Sequence, residues 1–291
     1  MQNSKLIQEV DVEIPGFTTI GIIGGAGQMG QWFKEYFESL GHTVLISGRK
    51  TELTWQDLAE QCQVVIISLP LDVSIDMAHQ VGPLMNKDQL LMDMCSMKHD
   101  ICQAMKESTQ AQVIGTHPLF GPSTAGMAGQ NVIVCPMGEG PWLPWLESQL
   151  EAKGAVVTIT DGYTHDRNMA VVQALTHFMT ISFGETLLQL GVDPKEIRPY
   201  ATPIFRLKLG LLGRMFAQDT ELYRNLICKN PMASEVLDQF LSSANEVKNN
   251  ICHDPEIMTA IDAFLGTFPE QGMIESDACL ETLAKFKERA M

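Results

Sequence analysis

The chain has 291 residues, 45% hydrophobic and 19% charged, enough to bury a sizeable core divided between two domains. A formal net charge of -15 and a pI near 4.8 argue against nucleic acid as a partner, and any anionic ligand must find a locally positive site. Seven cysteines (Cys62, Cys95, Cys102, Cys135, Cys228, Cys252 and Cys279) show neither CxxC pairing nor zinc spacing, so neither a disulfide framework nor a structural metal is expected.

In chain order, residues 1–17 read as an N-terminal extension. They are polar and mildly acidic, lack a basic segment followed by an apolar run, and so predict a cytoplasmic protein. Residues 18–163 then alternate short β-rich runs with helical patterns: TIGIIGG, HTVLIS, VVIISLP, LLMDMCS, VIGTH, NVIVCP and VVTIT. That alternation predicts a mostly parallel sheet covered by helices, an α/β domain of the Rossmann type. Its first strand runs into GGAGQMG, where Gly25, Gly27 and Gly30 form GxGxxG at a strand-to-helix turn, with Gln28 and Met29 opening the helix. Such a turn brings backbone and helix N-terminus against a pyrophosphate and predicts a nicotinamide dinucleotide as cofactor. The second strand ends in ISGRK. Where an NAD site carries an acid for the ribose hydroxyl, this chain has Ser47, Arg49 and Lys50, which favour the 2′-phosphate of NADP.

The fourth predicted strand ends in MDMCSMK, with Ser96 and Lys98, and the fifth in VIGTHPLFGP, with His117 held among prolines and a glycine. All three emerge at the carboxyl ends of strands, where ligands of open parallel sheets bind. A histidine there can accept a proton from a hydroxyl while hydride leaves the same carbon. From residue 164 to 291 the strands stop and an all-helical domain is expected, joined near residues 161 to 166. NMAVVQALTHFMTISFGETLLQL is apolar nearly all round, as for the central helix of a dimerising bundle, but polar residues interrupt it too often for a membrane span. On it Gln173 and His177 lie one turn apart and, taken alone, read first as satisfied core polar residues. PIFRLKLGLLGR adds Arg206, Lys208 and Arg214; the two arginines, eight residues apart, form a candidate clamp for a carboxylate.

GGAGQMG, SMK, THPLFGP, HDRNMAVVQALTHF and PIFRLKLGLLGRMFAQDTELY occur in this order between about residues 18 and 230. Together they resemble the prephenate dehydrogenases, in particular the dehydrogenase part of the enteric enzymes fused to chorismate mutase; the N-terminal segment is too short for a mutase domain. The resemblance implies a dinucleotide-binding domain followed by a helical dimerisation domain, hence a homodimer. It also implies oxidative decarboxylation of prephenate to 4-hydroxyphenylpyruvate in tyrosine biosynthesis. His117 would then accept the proton of the ring hydroxyl, with Ser96 orienting its imidazole and Lys98 near cofactor and substrate. Arg214 would bind the ring carboxylate with Arg206 in support, and Gln173 and His177 would line the site. Two departures from the fused enzymes stand out: SGRK where they carry an acid, and Ser123 where they tend to have an acid after HPxFGP. Arogenate and 4-amino-4-deoxyprephenate remain alternative substrates. A β-hydroxyacid-type dehydrogenase would need a lysine on the central helix, which is absent. A non-catalytic NADP-binding regulator would have no need of Ser96, His117 and Arg214, and a purely structural helical partner would leave GxGxxG and THPLFGP without a purpose.

Overall fold

The computed structural model describes residues 16–289, so the extension expected over residues 1–17 lies outside the described residues except for its last two positions. The chain divides between Asp166 and Arg167 into two compact units.

The first unit is built on seven strands: β1 (Thr19–Ile23), β2 (Thr43–Ser47), β3 (Val64–Ile67), β4 (Leu90–Asp93), β5 (Gln112–Pro118), β6 (Asn131–Pro136) and β7 (Val156–Ile159). They form one sheet in the order β2-β1-β3-β4-β5-β6-β7, parallel throughout except for the antiparallel pair β5 and β6. Strands β3 and β4 are buried at every position, which is why VVII and LLMD read as unbroken apolar runs and do not alternate. Five helices cover the sheet: α1 (Gln28–Ser39), α2 (Trp55–Gln61), α3 (Leu71–Val81), α4 (His99–Ser108) and α5 (Trp142–Glu151). One face packs Phe33 and Phe37 of α1 with Trp142, Trp145 and Leu146 of α5. The other packs Leu58 of α2, Ala78 of α3, and Ile101 and Met105 of α4. A parallel sheet covered on both faces places its ligand at the carboxyl edge, and here β1, β3, β4 and β5 present adjacent carboxyl ends.

His117 lies inside β5, in register with Ile133 of β6 and two residues beyond the last β4 pairing, Asp93 with Gly115. The antiparallel partner, together with the prolines that follow, therefore fixes the backbone of this histidine.

Helix α6 (Gly162–Met169) leads into a π-helical stretch, Ala170–Leu175, and then into α7 (Thr176–Gln189). The central helix expected from composition is thus continuous but holds a π segment that carries Gln173, an irregularity common at functional sites. The second unit continues with α8 (Pro194–Ile197), α9 (Pro203–Phe216), α10 (Thr220–Cys228), α11 (Ala233–Asn250), α12 (Glu256–Leu265) and α13 (Phe268–Arg289). Among the described residues no helix is long and apolar enough to cross a membrane, and no group of metal-ligating side chains is found.

Candidate active site

The glycine-rich turn is held by backbone. The Gly24 and Gly25 N–H groups both donate to the Ser47 carbonyl, at 2.8 and 3.2 Å, locking the turn to the end of β2. Gly24, just before the motif, carries the left-handed φ of +82° that the turn requires. A Cβ on Gly25 would lie 2.6 Å from Ile46 Cβ, and one on Gly30 would lie 2.6 Å from Gly25 Cα, so both glycines permit close approach of turn, strand and helix. Helix α1 begins at Gly27 without a side-chain cap and without an acid in its first turn. Its first N–H groups are thus directed to whatever occupies the turn, and a dinucleotide pyrophosphate fits such a cradle.

Of the residues expected to choose the cofactor, Arg49 and Lys50 are exposed in the turn after β2, whereas Ser47 is only 3% exposed. Burial makes Ser47 a backbone anchor for the glycine turn; the hydroxyl contact expected of it is not available at the surface.

At the carboxyl ends of β4 and β5 lies a cluster of buried polar side chains: Asp93, Lys98, Thr116, His117, His165 and Asp166. The His117 Nδ1 lies 2.8 Å from His165 Nε2, and His165 Nδ1 lies 2.6 Å from Asp166 Oδ1. Asp166 also receives the backbone N–H groups of Lys98 (2.8 Å) and His99 (3.0 Å), closing the N-terminus of α4 from a distant part of the chain. Lys98 is fully buried and forms a hydrogen-bonded ion pair with Asp93.

Electrostatics follow from these contacts. Burial, then the neighbouring His165 and Lys98, hold the His117 pKa well below the usual 6.5, so its imidazole is neutral at physiological pH. Burial works against a charge on Lys98, but the Asp93 carboxylate outweighs it and the ammonium pKa is raised. Burial likewise opposes ionisation of Asp166, yet the hydrogen bonds from His165, His99 and Lys98 keep its carboxyl below the ordinary range.

Two expectations are corrected here. The Nδ1 atom of His117 meets His165, where Ser96, half-buried on the loop after β4, was expected to orient the ring. Lys98 does not face a ligand surface; its ammonium is committed to Asp93 in the interior. The physical reasons differ: Asp93, at the end of β4, takes the Lys98 ammonium, whereas α6 delivers to His117 a partner that the local sequence around THPLFGP does not disclose.

In the second unit, His177 is half-buried and packs edge-on against Tyr223, ring centroids 4.9 Å apart, with burial lowering its pKa. Arg206 lines a cavity of about 510 Å³ together with Lys195, Arg198, Pro203, Leu209 and Gly210. Arg214 is exposed on α9 outside that lining. The two arginines stand eight residues apart on α9, about 12 Å along a helix axis.

Comparison with known proteins gives a consistent result. Residues 46–159 match the family described as prephenate dehydrogenase, nucleotide-binding domain, and residues 161–261 the family described as prephenate dehydrogenase, dimerization domain. A Methanocaldococcus jannaschii protein named "Probable arogenate/prephenate dehydrogenase" is 32% identical over 93% of this chain and 66% of its own length. The Haemophilus influenzae T-protein is 30% identical over 94% of this chain and 76% of its own. The chain therefore spans about two thirds to three quarters of these relatives. The fold is shared with A. aeolicus prephenate dehydrogenase, solved with hydroxyphenyl propionate and NAD+. That match has a TM-score of 0.67 at 18% identity and covers 89% of this chain and 98% of the other.

Proposed function

Since the chain belongs to the prephenate dehydrogenase family, we propose that it oxidatively decarboxylates prephenate to 4-hydroxyphenylpyruvate, as a homodimer, with NADP preferred over NAD. The observation that carries this reading is His117: a buried neutral imidazole, immobilised in β5 on the same sheet edge as the glycine cradle. Gly25, Gly27, Gln28, Met29 and Gly30 would hold the dinucleotide by its pyrophosphate, and Arg49 and Lys50 would meet a ribose 2′-phosphate. Hydride acceptance is the chemistry a bound nicotinamide supplies.

His117 performs the proton work. As the carbinol C–H bond breaks with its electron pair leaving as hydride, the hydroxyl proton passes to His117 Nε2 and the carbinol becomes a carbonyl. The bond to the ring carboxylate then breaks, its electrons enter the ring, and CO2 departs. The ring becomes aromatic, and the imidazole returns its proton to the phenolic oxygen, so the base is regenerated within one turnover. Lys98 serves this step from a distance: its buried positive charge disfavours a second proton on His117 and keeps the base free. Prephenate has two carboxylates, and two arginines set apart along α9 suit them separately, Arg214 the ring carboxylate and Arg206 the pyruvyl one. Gln173, in the π segment, and His177 would line the substrate, as the family resemblance implies.

Initial rates with prephenate, arogenate and 4-amino-4-deoxyprephenate, each against NADP and NAD, test the reading. Turnover fastest with prephenate and NADP supports it; turnover confined to an amino-bearing substrate overturns the substrate, and none with any of them overturns the activity.

A further inference from the structure

Asp166 and His165 arrive at His117 by a built route. Asp161 caps α6, accepting from the Thr164 backbone N–H at 2.9 Å and from its hydroxyl at 2.6 Å. Gly162 follows, and a Cβ there would lie 3.0 Å from both Cα and N of His99, so glycine is what lets the start of α6 press against the start of α4. One turn later Asp166 faces the α4 N-terminus and accepts two of its N–H groups, a placement that favours the ionised carboxylate. An ionised carboxylate only accepts hydrogen bonds, so the His165 contact must be donated by Nδ1–H. If that Nδ1 proton is the only one on the His165 ring, its Nε2 is a lone pair, and the 2.8 Å contact is donated by His117 Nδ1–H.

We infer that Asp166 and His165 form a positioning relay that fixes His117 as its Nδ1–H tautomer, presenting Nε2 as the proton-accepting atom. The relay extends the reading of His117 as the base, on which its catalytic meaning rests. It also steadies the imidazolium formed in turnover, whose Nδ1–H bond to His165 becomes charge-assisted while Asp166 stays ionised. Lys98 pairs with Asp93 within the same buried cluster, Asp161 and His99 lie at the starts of α6 and α4, and the thiols of Cys95, Cys102 and Cys135 are buried with their pKa values pushed up.

The test has one arm that needs no activity. Two-bond ¹H–¹⁵N spectra of the full chain labelled with ¹⁵N-histidine, the His117 ring assigned by its loss in His117→Asn, should show Nδ1 protonated and Nε2 bare. A ring protonated at Nε2 would overturn the relay, even if prephenate is turned over. Asp166→Asn should move the proton to Nε2, because an amide donating to His165 reverses both ring bonds. Turnover should then fall by at least about 100-fold with the substrate KM kept within about twofold, as expected for a base held in the wrong tautomer. His165→Gln supplies an oxygen to accept from His117 Nδ1–H and should keep turnover within about tenfold of the parent, whereas His165→Leu should fall by at least about 100-fold. Equal turnover in the Gln and Leu variants would sink the proposal and leave His165 a packing residue. If the chain turns over none of the substrates, the spectra still decide the relay, and only the assigned reaction fails.

Discussion

His117 can take a proton only while its ring is uncharged, and burial, His165 and Lys98 together hold its pKa well below 6.5. Two outcomes follow at this residue. His117→Asn should lower kcat by at least about 100-fold with little change in substrate KM, since an amide cannot serve as the base; wild-type turnover in that variant would remove the imidazole from the mechanism. The pH dependence of stability has a definite sign. Below about pH 6.5 the unfolded chain protonates this histidine while the folded chain does not, so the unfolded state binds more protons and stability falls as pH drops through that window. His177, with its pKa lowered by burial, adds in the same direction. Urea midpoints measured at about pH 7.5 and pH 5.5 should therefore decline on acidification, and His117→Asn should decline less. A parallel decline in both proteins would mean that carboxylates or His177 dominate. His117 could be singled out in the sequence because THPLFGP surrounds it with rigid residues. His165 and Asp166 could not, because their role depends on α6 meeting α4, a tertiary contact for which the dipeptide HD carries no local sign.

At the scale of elements, the strand-turn-helix around Gly25 was legible because each glycine has a steric reason. The expectation placed the tight turn within Gly25, Gly27 and Gly30, and the structure puts its one left-handed residue at Gly24. Gly30→Ala would put a methyl 2.7 Å from the Gly24 carbonyl oxygen as well as against Gly25 Cα. Overpacking of this kind costs on the order of 1–3 kcal/mol and displaces α1 from the turn. Cofactor affinity, followed by fluorescence of the reduced dinucleotide, should weaken by roughly tenfold or more, in line with that cost; unchanged affinity would place the pyrophosphate elsewhere. The turn after β2 is tested separately. Arg49→Ala with Lys50→Ala should raise the KM for NADP by roughly tenfold, the scale of losing one charge-assisted hydrogen bond, and leave that for NAD nearly unchanged. Equal effects on the two cofactors would make both side chains ordinary turn residues. The π segment at Ala170–Leu175 was not legible, since AVVQAL has helical composition and neither proline nor glycine to announce an irregular turn.

For the whole molecule, the alternation of apolar runs and helical patterns was enough to place all seven strands of a mostly parallel sheet, most plainly β3 and β4, whose burial on both faces makes them continuously apolar and short. What lay beyond reach was which second-unit surfaces stay uncovered, as helical periodicity reports an apolar face without saying what meets it. Helix α12 now makes that concrete. Met258, Ile261, Phe264 and Leu265 fall at helical spacing along it, and Phe264 is 86% exposed. A stripe of this kind in water is unfavourable by roughly 25 cal/mol per Å² of apolar surface, and the part of the chain matching a dimerization domain reaches residue 261. If a second copy covers this stripe, the protein should run in light scattering at twice its 32.2 kDa chain mass. Ile261→Glu with Phe264→Glu should then shift it toward the single-chain mass at micromolar concentration, because each carboxylate would be buried unpaired against its copy. Retention of the doubled mass in that variant would move the interface to another face of the helical unit, and a single-chain mass in the parent protein would leave the stripe without a partner of its own kind.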